Sequence, residues 1–200
     1  MNKIITKHMN KHKFEYFLNA VHYCMWLFER KFGFFIGKIV DFFISPIPKF
    51  LFTKNMKKRY YDNMRKSQPQ LDDLFYGKKR GFSIGLAHHN FGAFYSTYTC
   101  ILSFVLEALY IKFNGEINTF VIIVIFAIPT GICYIPAYKA VFSNDKYLKY
   151  FKLFEKEDEH WHKKWKRITT AFILGAIASI IFGVFLCFTI LDVKVQFPWM

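Results

Sequence analysis

Acidic side chains are scarce in this sequence: 14 Asp and Glu stand against 28 Lys and Arg, leaving a formal charge of +14. A surplus of that size turns the chain toward anionic partners, inner-leaflet headgroups first and nucleic acid as the less favoured choice. Cysteine is sparse too. Cys24, Cys100, Cys133 and Cys187 are widely spaced, form no CxxC, and for the most part fall inside apolar runs. That excludes a zinc-type spacing and leaves small buried apolar residues as the reading. Also missing are GxxxxGK[ST], GxGxxG, GxSxG and HExxH, a sustained heptad and any internal repeat. No phosphate loop, dinucleotide turn, nucleophile elbow or zincin helix can be built without them. The N-terminal apolar stretch is interrupted by Asn19 and His22, is followed by Glu29, Arg30 and Lys31, and lacks a small-residue cleavage site. The expectation is that no signal peptide is removed.

What is abundant is apolar. Hydrophobic residues make up 54% and aromatic residues 21%, with 26 Phe and 12 Tyr. An apolar excess and a basic excess rarely share one soluble surface, but they fit a membrane protein whose bases gather at anionic headgroups. The richness in Lys, Asn, Ile, Phe and Tyr fits an AT-rich genome and a bacterial source.

About 20 apolar helical residues cross a bilayer core. Phe91 to Ile111, Ile117 to Phe142 and Ile168 to Leu191 meet this length. Pro129, Gly131 and Pro136 predict a kink in the second, or an exit near Tyr134. Phe34 to Phe52 carries Lys38, Asp41 and Lys49 around an SPIP turn. At about 3 kcal/mol per mid-bilayer charge, a surface helix or a re-entrant dip suits it better than a span. The expected fold is therefore an all-α, polytopic integral membrane protein with three transmembrane helices, four if 34–52 crosses, plus amphipathic interfacial helices.

Lys and Arg set the orientation. They crowd Lys54 to Arg80 and Lys139 to Arg167, while the loop between the first two spans offers only Lys112. This places the N-terminus in the cytoplasm, the C-terminus outside, and the chain in a cytoplasmic (inner) membrane. Residues 1–90 read as a basic amphipathic platform at the inner leaflet. In it, Phe14, Phe17, Leu18, Val21, Met25 and Phe28 recur at helical spacing across 12–30, a helix that lies on the leaflet or packs on the protein itself. Ser67 to Gly92 reads as a turn-rich connector. Residues 91–200 read as the transmembrane helical domain, with a cytoplasmic amphipathic helix at 145–167.

Four groups of residues carry functional expectations. Trp161 and Trp165, one turn apart in EKEDEHWHKKWKR just before the third span, read as an interfacial anchor. Ser96, Thr99, Ser103 and Glu107 step along one face of the first span, and an intramembrane carboxylate must face protein or water, as pore lining or as structural glue. Gly175, Ser179 and Gly183, four apart, let helices approach closely, within the chain or between copies. His88, His89 and His162 share one predicted interface and form the weakest case, a metal site.

The leading expectation is a non-enzymatic anchor or accessory subunit that assembles through its spans and shows a basic surface to a cytosolic partner. The second is a homo-oligomeric pore or membrane-perturbing effector, of a bacterial defence system for example, with Glu107 on its lining. The third is a histidine-dependent lipid-modifying enzyme. No catalytic residue and no cofactor is assigned. The topology is directly testable: a reporter fused after Asn144 should read as cytoplasmic and one after Met200 as external, and a cytoplasmic signal at Met200 rejects three spans.

Overall fold

The computed structural model describes residues 2–191, and side chains from residue 13 onward apart from Ile47 and Lys49. Among the described residues every regular element is helical. The order is α1 (Asn2–Ile44), α2 (Pro46–Leu51), α3 (Lys54–Tyr76), α4 (Phe82–Thr97), α5 (Cys100–Asn114), α6 (Thr119–Val141), a short 3-10 turn (Ser143–Asp145), α7 (Lys146–Phe154) and α8 (Glu159–Ile190). Residues 192–200, where the expected outer terminus falls, lie outside the described residues.

Two stretches are long and apolar enough to cross a membrane, the one starting with α6 and α8, and α4 with α5 makes a third if the bent pair is one span. Only 11% and 17% of the first two apolar windows are buried within the protein. Ile123, Ile128, Ile132 and Ile135 on α6, and Leu174, Ile177, Ile181 and Phe185 on α8, face outward. Apolar surface so continuous is what makes both helices candidates for crossing a membrane.

The first expected span is corrected. It begins earlier, at Phe82, and breaks at Tyr98 and Thr99 with a bend of 44°. The cause is local: Thr97 and Thr99 turn their hydroxyls back onto the carbonyls of Phe94 and Ser96, and the Tyr98 and Thr99 amides bond the same short way to Tyr95 and Ser96. These three-residue bonds tighten the turn and displace the regular ladder. In α6 the helix instead runs on through Pro129 and Pro136 to Val141, so the chain does not leave near Tyr134.

The bend is seated on α8. Tyr98 donates to the Phe172 carbonyl and lies so close to Gly175 that a Cβ there would sit 2.6 Å from its oxygen. The Ser179 hydroxyl reaches the Thr97 carbonyl at 3.0 Å, and a Cβ at Gly183 would meet Ile101 Cα at 3.3 Å and the Phe104 ring at 2.6 Å. The small stripe of α8 is thus spent inside the chain. At the far end of this bundle Lys112 donates to the Ile190 carbonyl.

The other end holds the core, and of the two readings of residues 12–30 it is packing on the protein itself that the fold shows. Residues 12–30 are the middle of the long helix α1, and every residue from Leu18 to Trp26 is buried. That segment is therefore not a leaflet helix with one wet face. It is enclosed by α4, α6, α7 and α8. Residues 67–76 belong to α3, so the connector shrinks to Gly77–Gly81, and the expected helix at 145–167 is broken between α7 and α8. Asn144 and Asp145, between α6 and α7, take positive φ (57° and 52°), a conformation that Asn and Asp tolerate better than most residues. Residues 34–51 are helical except at Ser45, and Phe35, Ile39, Phe42, Phe43 and Phe50 among them are exposed.

Replacing Gly183 by Leu should destabilise the detergent-solubilised protein by roughly 1–3 kcal/mol, because Ile101 is met at its backbone. A variant with unchanged melting but altered oligomeric state would show that this face works between copies instead.

Candidate functional site

The most closely built polar feature lies in the α1 core. His22 is fully buried, and its Nε2 is 2.8 Å from His88 Nδ1 on α4. One of the two nitrogens must carry the hydrogen and the other accept it, so the two rings share one proton between them. Phe91, Phe142, Tyr147 and Phe151 surround His22 with ring centroids 5.4 to 5.6 Å away. Burial, and then the neighbouring His88, hold His22 well below the usual histidine range, so it is neutral at pH 7.

Three further bonds to other helices, and one within α1, fix α1 in this position. Asn19 donates to the Ala140 carbonyl at the end of α6 (3.0 Å) and back to Glu15 (2.7 Å). Lys146 on α7 pairs with Glu15 at 3.3 Å. The Trp161 indole on α8 donates to Tyr16 at 2.9 Å. Beside Trp26, burial pushes the Cys24 thiol up to about 11, which makes it an inert core residue rather than a nucleophile.

Trp161 and Trp165 turn inward. Trp161 stacks on Phe154 with centroids 4.8 Å apart, and Trp165 packs edge-on to Tyr16. The histidines are separated rather than gathered: His88 faces His22, His89 is exposed, and His162 lies against Tyr23 and Trp161. No group of three or more His, Cys, Asp or Glu able to hold a metal occurs among the described residues. On the polar face, Thr99 contacts Thr130 of α6 at 2.9 Å, Ser103 is fully buried, and Glu107 is half-buried near Cys187 of α8. Ser96 lines a shallow groove between α4 and α6 with His88, Gly92, Thr130 and Tyr134.

A second cavity, of about 650 Å³, lies where α1, α4 and α8 meet. Leu27, Phe28, Phe94, Ile173 and Leu174 form its apolar walls, with Lys31, Lys166, Glu29 and Asn90 at the rim. Sequence reading missed it, and missed the His22 pair, because both arise where distant segments meet.

The fold and these sites define an all-helical protein with two or three helices suited to crossing a membrane. The chain matches no family model, no curated protein and no solved structure.

His22 makes stability depend on pH. Because its folded-state affinity for protons lies below the unfolded value near 6.5, its contribution is present above that pH and is lost as the solution is acidified, at up to about 1.4 kcal/mol per pH unit. Melting temperatures measured from pH 7 to 5 should fall, and His22→Leu should flatten that fall; an equal slope in the variant would remove His22 from the account.

Proposed function

We propose that the protein is a non-enzymatic component of the cytoplasmic membrane, an anchor that holds a basic amphipathic arm on the inner leaflet and shows it to a cytosolic protein. The observation that carries this reading is α3. It buries no residue against the rest of the chain. Yet its side chains are sorted: Met56, Tyr60, Met64, Leu71 and Leu74 recur at helical spacing on one side, while Lys58, Arg59, Arg65 and Lys66 fall on the other. A helix patterned in this way but unpacked suits a leaflet surface, with its apolar strip among acyl chains and its bases at the headgroups and the cytosol.

The start of the arm supports the same placement. Beyond the core, α1 carries exposed Phe35, Ile39, Phe42 and Phe43 among Lys31, Lys38 and Asp41, too charged to pass as a span but apolar enough to avoid water. Tyr76 stacks on Phe34 with centroids 3.9 Å apart and pins the end of α3 beside α1. In this reading the N-terminus is cytoplasmic and three spans carry the chain to an external C-terminus. A pore lined by Ser96, Thr99, Ser103 and Glu107 is less well supported, since Thr99 is engaged by Thr130, Ser103 is covered, and the small stripe of α8 is occupied.

Gentle extraction from the host membrane should yield this chain bound to a different, soluble protein, and Lys58→Glu with Arg65→Glu should release that protein while the spans stay inserted. A closed ring of identical subunits would overturn the anchor in favour of a pore.

A further inference from the structure

We infer that the cavity between α1, α4 and α8 is a binding site for one anionic phospholipid, its headgroup at Lys31 and Lys166 and an acyl chain along Phe94, Ile173 and Leu174. The site is distinct from the arm and does not depend on how α3 functions.

The charge pattern selects the headgroup. Lys31 and Lys166 reach the rim from two different helices, both are exposed, and neither makes an ion pair with a described residue. Glu29 is the lone acid of the lining, and its Oε1 accepts from Asn90 Nδ2 at 2.7 Å, which holds it against α4. Two ammonium groups without an ion-pair partner therefore face the cavity mouth, an arrangement that attracts phosphate.

The depth selects a lipid rather than a free anion. Lys166 stands just before the apolar run of α8, at the headgroup level of a spanning helix. Ile173 and Leu174 come two turns further along, about 12 Å into the hydrocarbon region. Leu174 is 60% exposed, so this wall opens sideways toward lipid. The floor behind it is closed by Cys24, Met25 and Thr169, which are buried. A cationic mouth continuous with an apolar channel at acyl depth has the polarity profile of a phospholipid. The groove between α4 and α6 has no Lys or Arg on its rim, so nothing there selects a charged headgroup.

The test is native mass spectrometry of the full chain in a mild neutral detergent, titrated with dioleoylphosphatidylglycerol, dioleoylphosphatidylcholine or inorganic phosphate. The wild type should retain one phosphatidylglycerol with about tenfold preference over phosphatidylcholine and should not retain phosphate. Lys31→Gln with Lys166→Gln should abolish the preference, whereas Lys57→Gln with Lys58→Gln on α3 should leave it intact. Leu174→Trp, which keeps both lysines and fills the channel, should weaken both lipids. Melting temperatures report folding of each variant, and the exposure of Lys31, Lys166 and Leu174 keeps the variants at the cavity near wild type. Equal retention of the two lipids, equal loss from the α3 variant, or retention of phosphate alone would overturn the proposal.

Discussion

Two polar side chains buried within one turn of α1 constrain everything around them. Asn19 and His22 are fully buried, and each finds a hydrogen-bond partner from elsewhere in the chain. Asn19 is met by the end of α6 and His22 by α4, while the flanking Glu15 and Tyr16 are met by α7 and α8. A short piece of one helix thereby fixes the register of four others. The aromatic rings packed over these bonds exclude water, and exclusion of water is what makes each bond costly to break. The core in turn sets where α4 begins. That places its bend against the small stripe of α8.

In the half proposed to lie in the membrane a different rule holds. Lipid offers no hydrophobic drive for helices to associate, so contact depends on close approach and on bonds between helices. Gly175, Ser179 and Gly183 supply both, and the Tyr98 to Thr99 break gives them a concave surface to fill. Because the stripe is consumed in this way, the surfaces proposed above for other molecules are the unpacked arm and the cavity beside α1.

Much of this was legible in the sequence for a physical reason: span length and charge exclusion are properties of single segments. The helical class, α6 and α8, and the unsuitability of 34–52 as a plain span all follow from local counts. What escaped depends on contacts between segments. Read alone, residues 12–30 look amphipathic, since Asn19 and His22 break the apolar face, and only partners 66 and 121 residues away turn those two into core groups. Pro69 and the polar run around it looked like a turn, although α3 passes straight through, its neighbours holding the helix on either side. The bend at Thr99 had a visible signal in the run of Ser and Thr, which compete for backbone carbonyls. Read by spacing alone, the same hydroxyls suggested a lining face.

If α8 crosses a membrane as proposed, the inward turn of Trp161 and Trp165 bears on how it is held there. Interfacial tryptophans commonly fix the height of a spanning helix, but here both are held in the core, one by Tyr16 and the other by Tyr16 and Phe17. The height of α8 then has to be set by what remains at its entry, chiefly Lys163, Lys164, Lys166 and Arg167, whose long stems can reach headgroups from below. Lysine holds a helix at the interface through charge, and so only where the leaflet is anionic. The scarcity of acids in this chain, the cationic arm and the pair of lysines at the cavity mouth are in that sense one property. On the proposed reading the anchor is electrostatic rather than aromatic, and such an anchor requires a negative surface and weakens with salt.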